Sequence, residues 1–375
     1  MEKYHEGMNS LVRIRLMELS MPSASVAQPL IPNASVPELP QPYLVFLGDA
    51  RDISFAKTAH GLRDWAPERC VGELACAGER ISIGLPALSP GEAKARGARS
   101  LVIGVANMGG VIRDNWMTPL LESLGAGLDI ISGMHGRLED VPALKAAADR
   151  FGRRLINVRT PPHNIPVASG RKRTGNRLLT VGTDCALGKK YTALTLAREF
   201  AKRGIDADFR ATGQTGILIA GSGIPIDAVV ADFVAGAAEL LSPDASADHW
   251  DVVEGQGSIF HPSYGGVSLG LLHGTQPDVI VLCHEAGRHR VLGLEDYATP
   301  SLAETMELTL TLARRTNPRV RCAGVALNTA RLDPDRARAT LEQLAVDLGL
   351  PGADPLRAGP ELDRLVDACL AEAPA

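Results

Sequence analysis

The chain has 375 residues, 45% of them hydrophobic and only 4% aromatic, with 39 basic residues set against 43 acidic ones. That length suits two domains with sizeable cores. Near-balanced charge gives no electrostatic basis for binding nucleic acid or a membrane surface, and so few aromatic rings argue against a stacking platform for single strands.

Residues 1–42 are rich in Pro, Ser and Ala and read as a flexible leader rather than a signal peptide. Ordered structure is expected to begin with the strand Tyr43-Leu44-Val45-Phe46-Leu47-Gly48. A helix over Phe55–Trp65 follows, with Ala56, Ala59 and Leu62 at helical spacing. Ile81–Gly84 and Ser100–Val105 read as strands, the second with Asn107-Met108-Gly109-Gly110 as its exit loop. Then come a helix over Trp116–Ala126, a strand over Leu128–Ser132 leading into Gly133-Met134-His135, a helix over Val141–Phe151 and a strand over Leu155–Val158. Alternation of strand and helix predicts a Rossmann-like parallel sheet for residues 43–165.

A linker containing Arg171-Lys172-Arg173 leads to the strand Arg177–Val181, a Gly-rich loop and a helix over Lys189–Lys202, which Gly204 stops. Further strands are expected at Asp206–Arg210, Asp251–Glu254, Asp278–Cys283 and Val320–Leu327, and helices at Ile226–Leu240, Leu302–Ala313 and Asp335–Leu348. Residues 166–375 therefore form a second α/β domain, doubly wound and P-loop NTPase-like. Six scattered cysteines without a CxxC pair suit reduced thiols in a cytoplasmic protein, and no apolar run spans a bilayer.

The Gly-rich loop is Gly182-Thr183-Asp184-Cys185-Ala186-Leu187-Gly188-Lys189-Lys190. It keeps the Gly…Gly-Lys frame that cradles a diphosphate at a helix N-terminus. Its glycines are six positions apart, one more than in the standard pattern. It lacks the Ser or Thr that ordinarily follows the lysine and holds Mg²⁺. Lys190 stands there, and Tyr191 and Thr192 are the nearest hydroxyls. The loop thus predicts a phosphorylated ligand and argues against ordinary ATP hydrolysis.

Other candidates lie at strand ends, where open parallel sheets bind ligands. Ala211-Thr212-Gly213-Gln214-Thr215-Gly216 offers Thr212 and Gln214. Asp227 and Asp232 further on suit helix capping or ligand contact equally. Glu254-Gly255-Gln256-Gly257-Ser258 puts an acid where a general base or Walker-B carboxylate would lie, with His261 nearby as a catalytic or structural histidine. His284 and Glu285 are further acid/base candidates, and Arg288 and Arg210 are candidate partners for substrate carboxylates. Asn328 could meet an adenine ring. No histidine spacing suits a structural metal, so none is expected.

The spacing Gly-Thr-Asp-x4-Lys resembles the loop of dethiobiotin synthetase, although those enzymes carry a hydroxyl after the lysine. Longer strings resemble another family more closely. Gly182-Thr183-Asp184-Cys185-Ala186, Ala211–Ile217, Gly223–Phe233 and Glu254-Gly255-Gln256-Gly257-Ser258 are similar to a bacterial family whose named members are D-glutamate N-acetyltransferases. The resemblance runs from about Tyr43 to the C-terminus. It implies acetyl-CoA as cofactor, its diphosphate held by the loop and never cleaved, and an amino acid as the small-molecule substrate. A base, Glu254 or alternatively His284 or Glu285, would free the substrate amine to attack the thioester, with backbone N–H groups at the oxyanion. A homo-oligomer is the expected assembly. The alternatives are an ATP- and Mg²⁺-dependent ligase or kinase and a non-catalytic nucleotide-binding regulator.

Overall fold

The structure, a computed structural model, describes residues 39–372 except 77, 79–80 and 106–109. Most of the expected leader and the exit loop around Asn107 lie outside the described residues. The last leader residues are packed: Leu39 is buried, and the Ser100 hydroxyl donates to the Pro40 carbonyl at 2.6 Å. The chain forms two compact units, one of 39–161 together with Gln214–Pro225, the other of Pro162–Gly213 together with 226–372.

In the first unit the apolar run Tyr43–Leu47 is buried throughout and forms β1 (Tyr43–Gly48). A 3₁₀ turn at Ile53–Ala56 precedes α1 (Lys57–Trp65). Then come β2 (Cys70–Ala75), α2 (Pro90–Ala95), β3 (Ser100–Ile103), α3 (Met117–Gly125), β4 (Asp129–Ser132), α4 (Pro142–Phe151) and β5 (Leu155–Asn157). The strands are parallel, in the order β2-β1-β3-β4-β5, a doubly wound arrangement. The strand expected at Ile81–Gly84 is absent. The chain bends there at Gly84, which has φ 82°, and the N–H groups of Ile83 and Leu85 donate to the buried Glu73 carboxylate instead of a sheet.

The second unit begins with β6 (Asn176–Gly182), α5 (Lys189–Lys202) and β7 (Ala207–Arg210). The chain then forms α6 (Gln214–Ala220), which belongs to the first unit. Its residues Ile217, Leu218 and Ile219 are buried, and the Thr215 hydroxyl meets that of Thr58 at 2.9 Å. A helix was expected over Ile226–Leu240. Two 3₁₀ turns, Ile226–Ala228 and Ala231–Phe233, replace its first half, and α7 spans only Val234–Leu241. β8 (Trp250–Val253), α8 (Gly265–Thr275), β9 (Val279–Glu285) and a hairpin of β10 (Arg290–Val291) and β11 (Leu294–Ala298) follow. The unit closes with α9 (Leu302–Ala313), β12 (Arg321–Asn328), α10 (Pro334–Leu348), β13 (Gly352–Ala353) and α11 (Pro360–Leu370).

Its sheet runs β13-β12-β9-β6-β8-β7, all parallel. Alternate strand residues feed opposite faces. Leu178, Val252, Val279 and Val281 pack with Leu196 and Phe200 of α5 and Leu365 and Val366 of α11. Leu282, Val325 and Leu327 pack with Leu341 and Leu344 of α10. Strand β6 lies between β8 and β9, where chain order reverses, so the loop after β6 occupies the topological switch point at which such sheets bind ligands.

Candidate active site

The Gly-rich loop joins β6 to α5 and is braced from below. Gly182 lies so close to the Cys283 carbonyl and Leu187 that a Cβ there would crowd both. Ala186 and Gly188 both take positive φ, 54° and 109°, a turn that costs a non-glycine residue energy. Asp184 is fully buried and organises the loop. One oxygen accepts the Cys185 N–H at 2.6 Å; the other accepts the Leu292 N–H at 2.8 Å and the Arg288 guanidinium at 3.0 Å. Arg288 also donates to the Cys185 carbonyl, at 3.2 Å. Thr183 Oγ1 pairs with His284 Nδ1 at 2.8 Å. The buried Lys189 ammonium donates to the Asp184 carbonyl at 2.7 Å, and burial lowers its pKa. A cation so poorly solvated gains from an arriving phosphate oxygen.

At the end of β8, Glu254 is buried, and its Oε2 accepts N–H bonds from Thr212 at 3.0 Å and Gly213 at 3.1 Å. Burial raises its pKa; the charge of Lys190, the two N–H bonds and the charge of Lys189 partly offset this. Thr180 fastens this acid to the loop, since its Oγ1 donates to the Lys189 carbonyl at 3.2 Å and accepts the Gly255 N–H at 2.9 Å. The Thr212 hydroxyl donates to the Glu254 carbonyl at 2.7 Å and accepts from the Gln256 amide at 2.8 Å. A small cavity lies beside this cluster, lined by Gly182, Gly255, Gln256, Gly257, Ser258 and Leu271. The arrangement sets a buried carboxylate of raised proton affinity beside a glycine-rich turn and a buried lysine at a helix N-terminus, groups chemically suited to proton transfer and to an anion.

Residues 166–366 match a P-loop domain of unknown function (DUF1611_C), and residues 69–161 match its Rossmann-like N-terminal companion (DUF1611_N). A protein of Tritonibacter scottomollicae named D-glutamate N-acetyltransferase is 50% identical over 88% of this chain and 98% of its own. One of the same name from a Pseudoalteromonas species is 46% identical over 86% of this chain and 97% of its own. The chain belongs to this family. A crystal structure of a DUF1611 family protein from Anabaena variabilis shares the fold with a TM-score of 0.76 at 34% identity, covering 88% of this chain and 98% of that one. The family's Rossmann-like and P-loop pairing corresponds to the two sheets described above.

Within the second unit the structure gathers Thr183–Lys190, Thr212, Glu254, Gln256, His284, Glu285 and Arg288 at the carboxyl ends of β6, β7, β8 and β9. Several expected roles do not fit their surroundings. Arg210 is a correction: it is buried, donates to Asp251 at 2.5 Å and pairs with Asp208 at 3.0 Å, so its charge is committed within the sheet. Arg288 and Glu285 form an ion pair with each other, Arg288 also binds Asp184, and Arg331 lies 3.2 Å from Glu285. This network braces the loop, which leaves Arg288 poorly placed to clamp a substrate and Glu285 poorly placed to act as base. Gln214 opens α6 and belongs to the first unit. The Ser258 hydroxyl accepts the Phe260 N–H at 3.2 Å, and Asn328 accepts the Ala330 N–H at 3.1 Å, so both stiffen their own turns.

His284 keeps its candidacy as an acid/base group, because burial and Arg288 lower its pKa and favour the neutral ring. His261 is buried, accepts the Ser263 N–H at 3.1 Å and stacks on Tyr264. Among the described residues two groups have metal-ligand spacing, Asp184 with Cys185 and His261, and Asp208 with His249 and Asp251. In each, a guanidinium already faces the carboxylates, Arg288 in the first and Arg210 in the second. Thr180 was not singled out from the sequence; its one signal is a hydroxyl residue inside the apolar run Leu178–Val181. No helix among the described residues is long and apolar enough to cross a membrane.

Proposed function

We propose that this enzyme transfers an acetyl group from acetyl-CoA to the amino group of D-glutamate, with the CoA diphosphate seated on the 182–190 loop. The two relatives named D-glutamate N-acetyltransferase support the reaction class. The site's own chemistry supports the ligand. A buried lysine and a left-handed turn leading into a helix N-terminus suit a diphosphate, and the absence of a hydroxyl after Lys189 suits one that is not cleaved.

Bound acetyl-CoA would supply an acetyl thioester. The observation that carries the reading is Glu254, a buried carboxylate beside the loop lysines with Oε2 held by two backbone N–H groups. It would take a proton from the substrate ammonium and leave the amine lone pair free. Raised proton affinity brings its basicity closer to that of the amine. His284, held by Thr183, is the alternative base.

The test mixes purified protein with acetyl-CoA and D-glutamate and follows thiol release. Release is expected with D-glutamate, and none with any acidic amino acid would overturn the reading. ADP formation from ATP in the presence of Mg²⁺ would point instead to the ligase or kinase class.

A further inference from the structure

P-loop enzymes hold Mg²⁺ between the hydroxyl that follows the loop lysine and an acid at the end of a neighbouring strand. The acid is present here as Glu254, but the residue after Lys189 is Lys190, which cannot ligate a cation. Two nearby hydroxyls are engaged elsewhere. Thr192 is buried and donates to the Gly188 carbonyl at 3.2 Å, and Thr183 is paired with His284 at 2.8 Å. The donor set does not fit magnesium.

It does fit a fixed ammonium. Thr180 bonds the backbone on both sides of the gap, at Lys189 and Gly255, and so brings the first turn of α5 against the residues flanking Glu254. A Cβ on Gly255 would stand 3.2 Å from the Lys189 side chain. The Lys190 ammonium lies over the Tyr191 ring, 4.6 Å from its centroid. Its charge offsets part of the effect of burial at Glu254.

We propose that Lys190 is a built-in substitute for the divalent cation, so that the loop binds the diphosphate of CoA without metal and Glu254 is left unliganded for proton transfer. The inference rests on the reading that the loop holds that diphosphate. It concerns only what neutralises the ligand's charge there.

Binding of CoA is measured by titration calorimetry in EDTA and in excess Mg²⁺, for the unaltered enzyme, Lys190→Met, Lys190→Thr and Lys189→Ala, each checked for folding by circular dichroism. The unaltered enzyme is expected to bind equally well in both buffers. Lys190→Met is expected to bind about tenfold or more weakly in both, the effect of losing one charge-assisted contact. Lys190→Thr restores the hydroxyl; it is expected to bind as weakly in EDTA and to regain affinity with Mg²⁺. A magnesium requirement in the unaltered enzyme, undiminished binding by Lys190→Met, or failure of Mg²⁺ to rescue Lys190→Thr would each overturn the proposal. Lys189→Ala tests the underlying reading separately: if CoA binding survives it, the diphosphate is not held by this loop.

Discussion

Glu254 is held in a state that costs folding energy. Burial raises its pKa in the folded chain, so at neutral pH folding must either bury a poorly solvated carboxylate or take up a proton, and both cost free energy. Glu254→Gln can still accept the Thr212 and Gly213 N–H bonds through its amide oxygen. The substitution is therefore expected to abolish turnover, leave CoA binding intact and raise the urea midpoint at pH 7.5. Retained turnover would remove Glu254 from the base role, and a lowered midpoint would show that the ionised form is not the costly one. Where Glu254 is the base, turnover in the unaltered enzyme should fall on the acid side with an apparent pKa above the ordinary glutamate range. His249 illustrates the opposite sign. Hydrogen bonds that its ring N–H groups donate to Asp251 at 3.2 Å and Asp206 at 2.8 Å raise its pKa from 6.5 to about 9, with burial opposing them. The stabilisation is complete below pH 6.5 and is lost as pH rises through about 9. At about 1.4 kcal/mol per pKa unit this corresponds to about 3 kcal/mol, reduced by the solvent screening that the exposed Asp206 carboxylate undergoes. His249→Gln should flatten the stability profile across that window, as measured by urea unfolding at several pH values.

At the scale of elements, the site depends on one strand end passing another. Gly255 follows Glu254, and a methyl group there would overlap the Thr180 carbonyl oxygen. Gly255→Ala is expected to cost about 1–3 kcal/mol in urea unfolding and to suppress turnover by shifting Glu254 away from the loop. A variant with unchanged stability and rate would mean that the two strands separate freely. Elements with their own apolar pattern were legible in the sequence: β1, α5 and α9 lie almost where spacing put them. Elements defined by their neighbours were not. Strand β2 reads Cys-Val-Gly-Glu-Leu-Ala, with no apolar run, and is recognisable only from its pairing with the edge of β1. Helix α6 follows Thr212-Gly213 and contains Gly216, a composition that suits a loop, and the burial of Ile217–Ile219 accompanies its helical form. The loop and Glu254 were likewise readable from order and spacing. The engagement of Arg210 with Asp251 was not, since 41 residues separate them and nothing local marks the pair.

For the whole molecule the informative fact is that the first unit is not contiguous. The chain leaves the second unit after Gly213, contributes Gln214–Pro225 to the first, and returns at Ile226. Departure and return are adjacent, because the Ile226 N–H donates to the Thr212 carbonyl at 3.0 Å. Thr212 and Gly213 also supply the N–H groups that hold Glu254, so the candidate base is anchored where the excursion closes. A fragment of residues 162–372 would therefore carry α6 without its packing partners. Burial of side chains such as Ile217, Leu218 and Ile219 is worth about 1.5–3 kcal/mol each, and their exposure creates an apolar patch of the kind that drives association. That fragment is expected to bind a hydrophobic dye and to aggregate. Replacing 214–225 by a short Gly/Ser linker should yield a dispersed fragment that still binds CoA, because the closing bond lets a short connection span the gap. An unmodified fragment that stays monomeric and dye-free would show that α6 is no part of the first unit's core. A linker variant that disperses but loses CoA would show that the loop needs more than its own sheet.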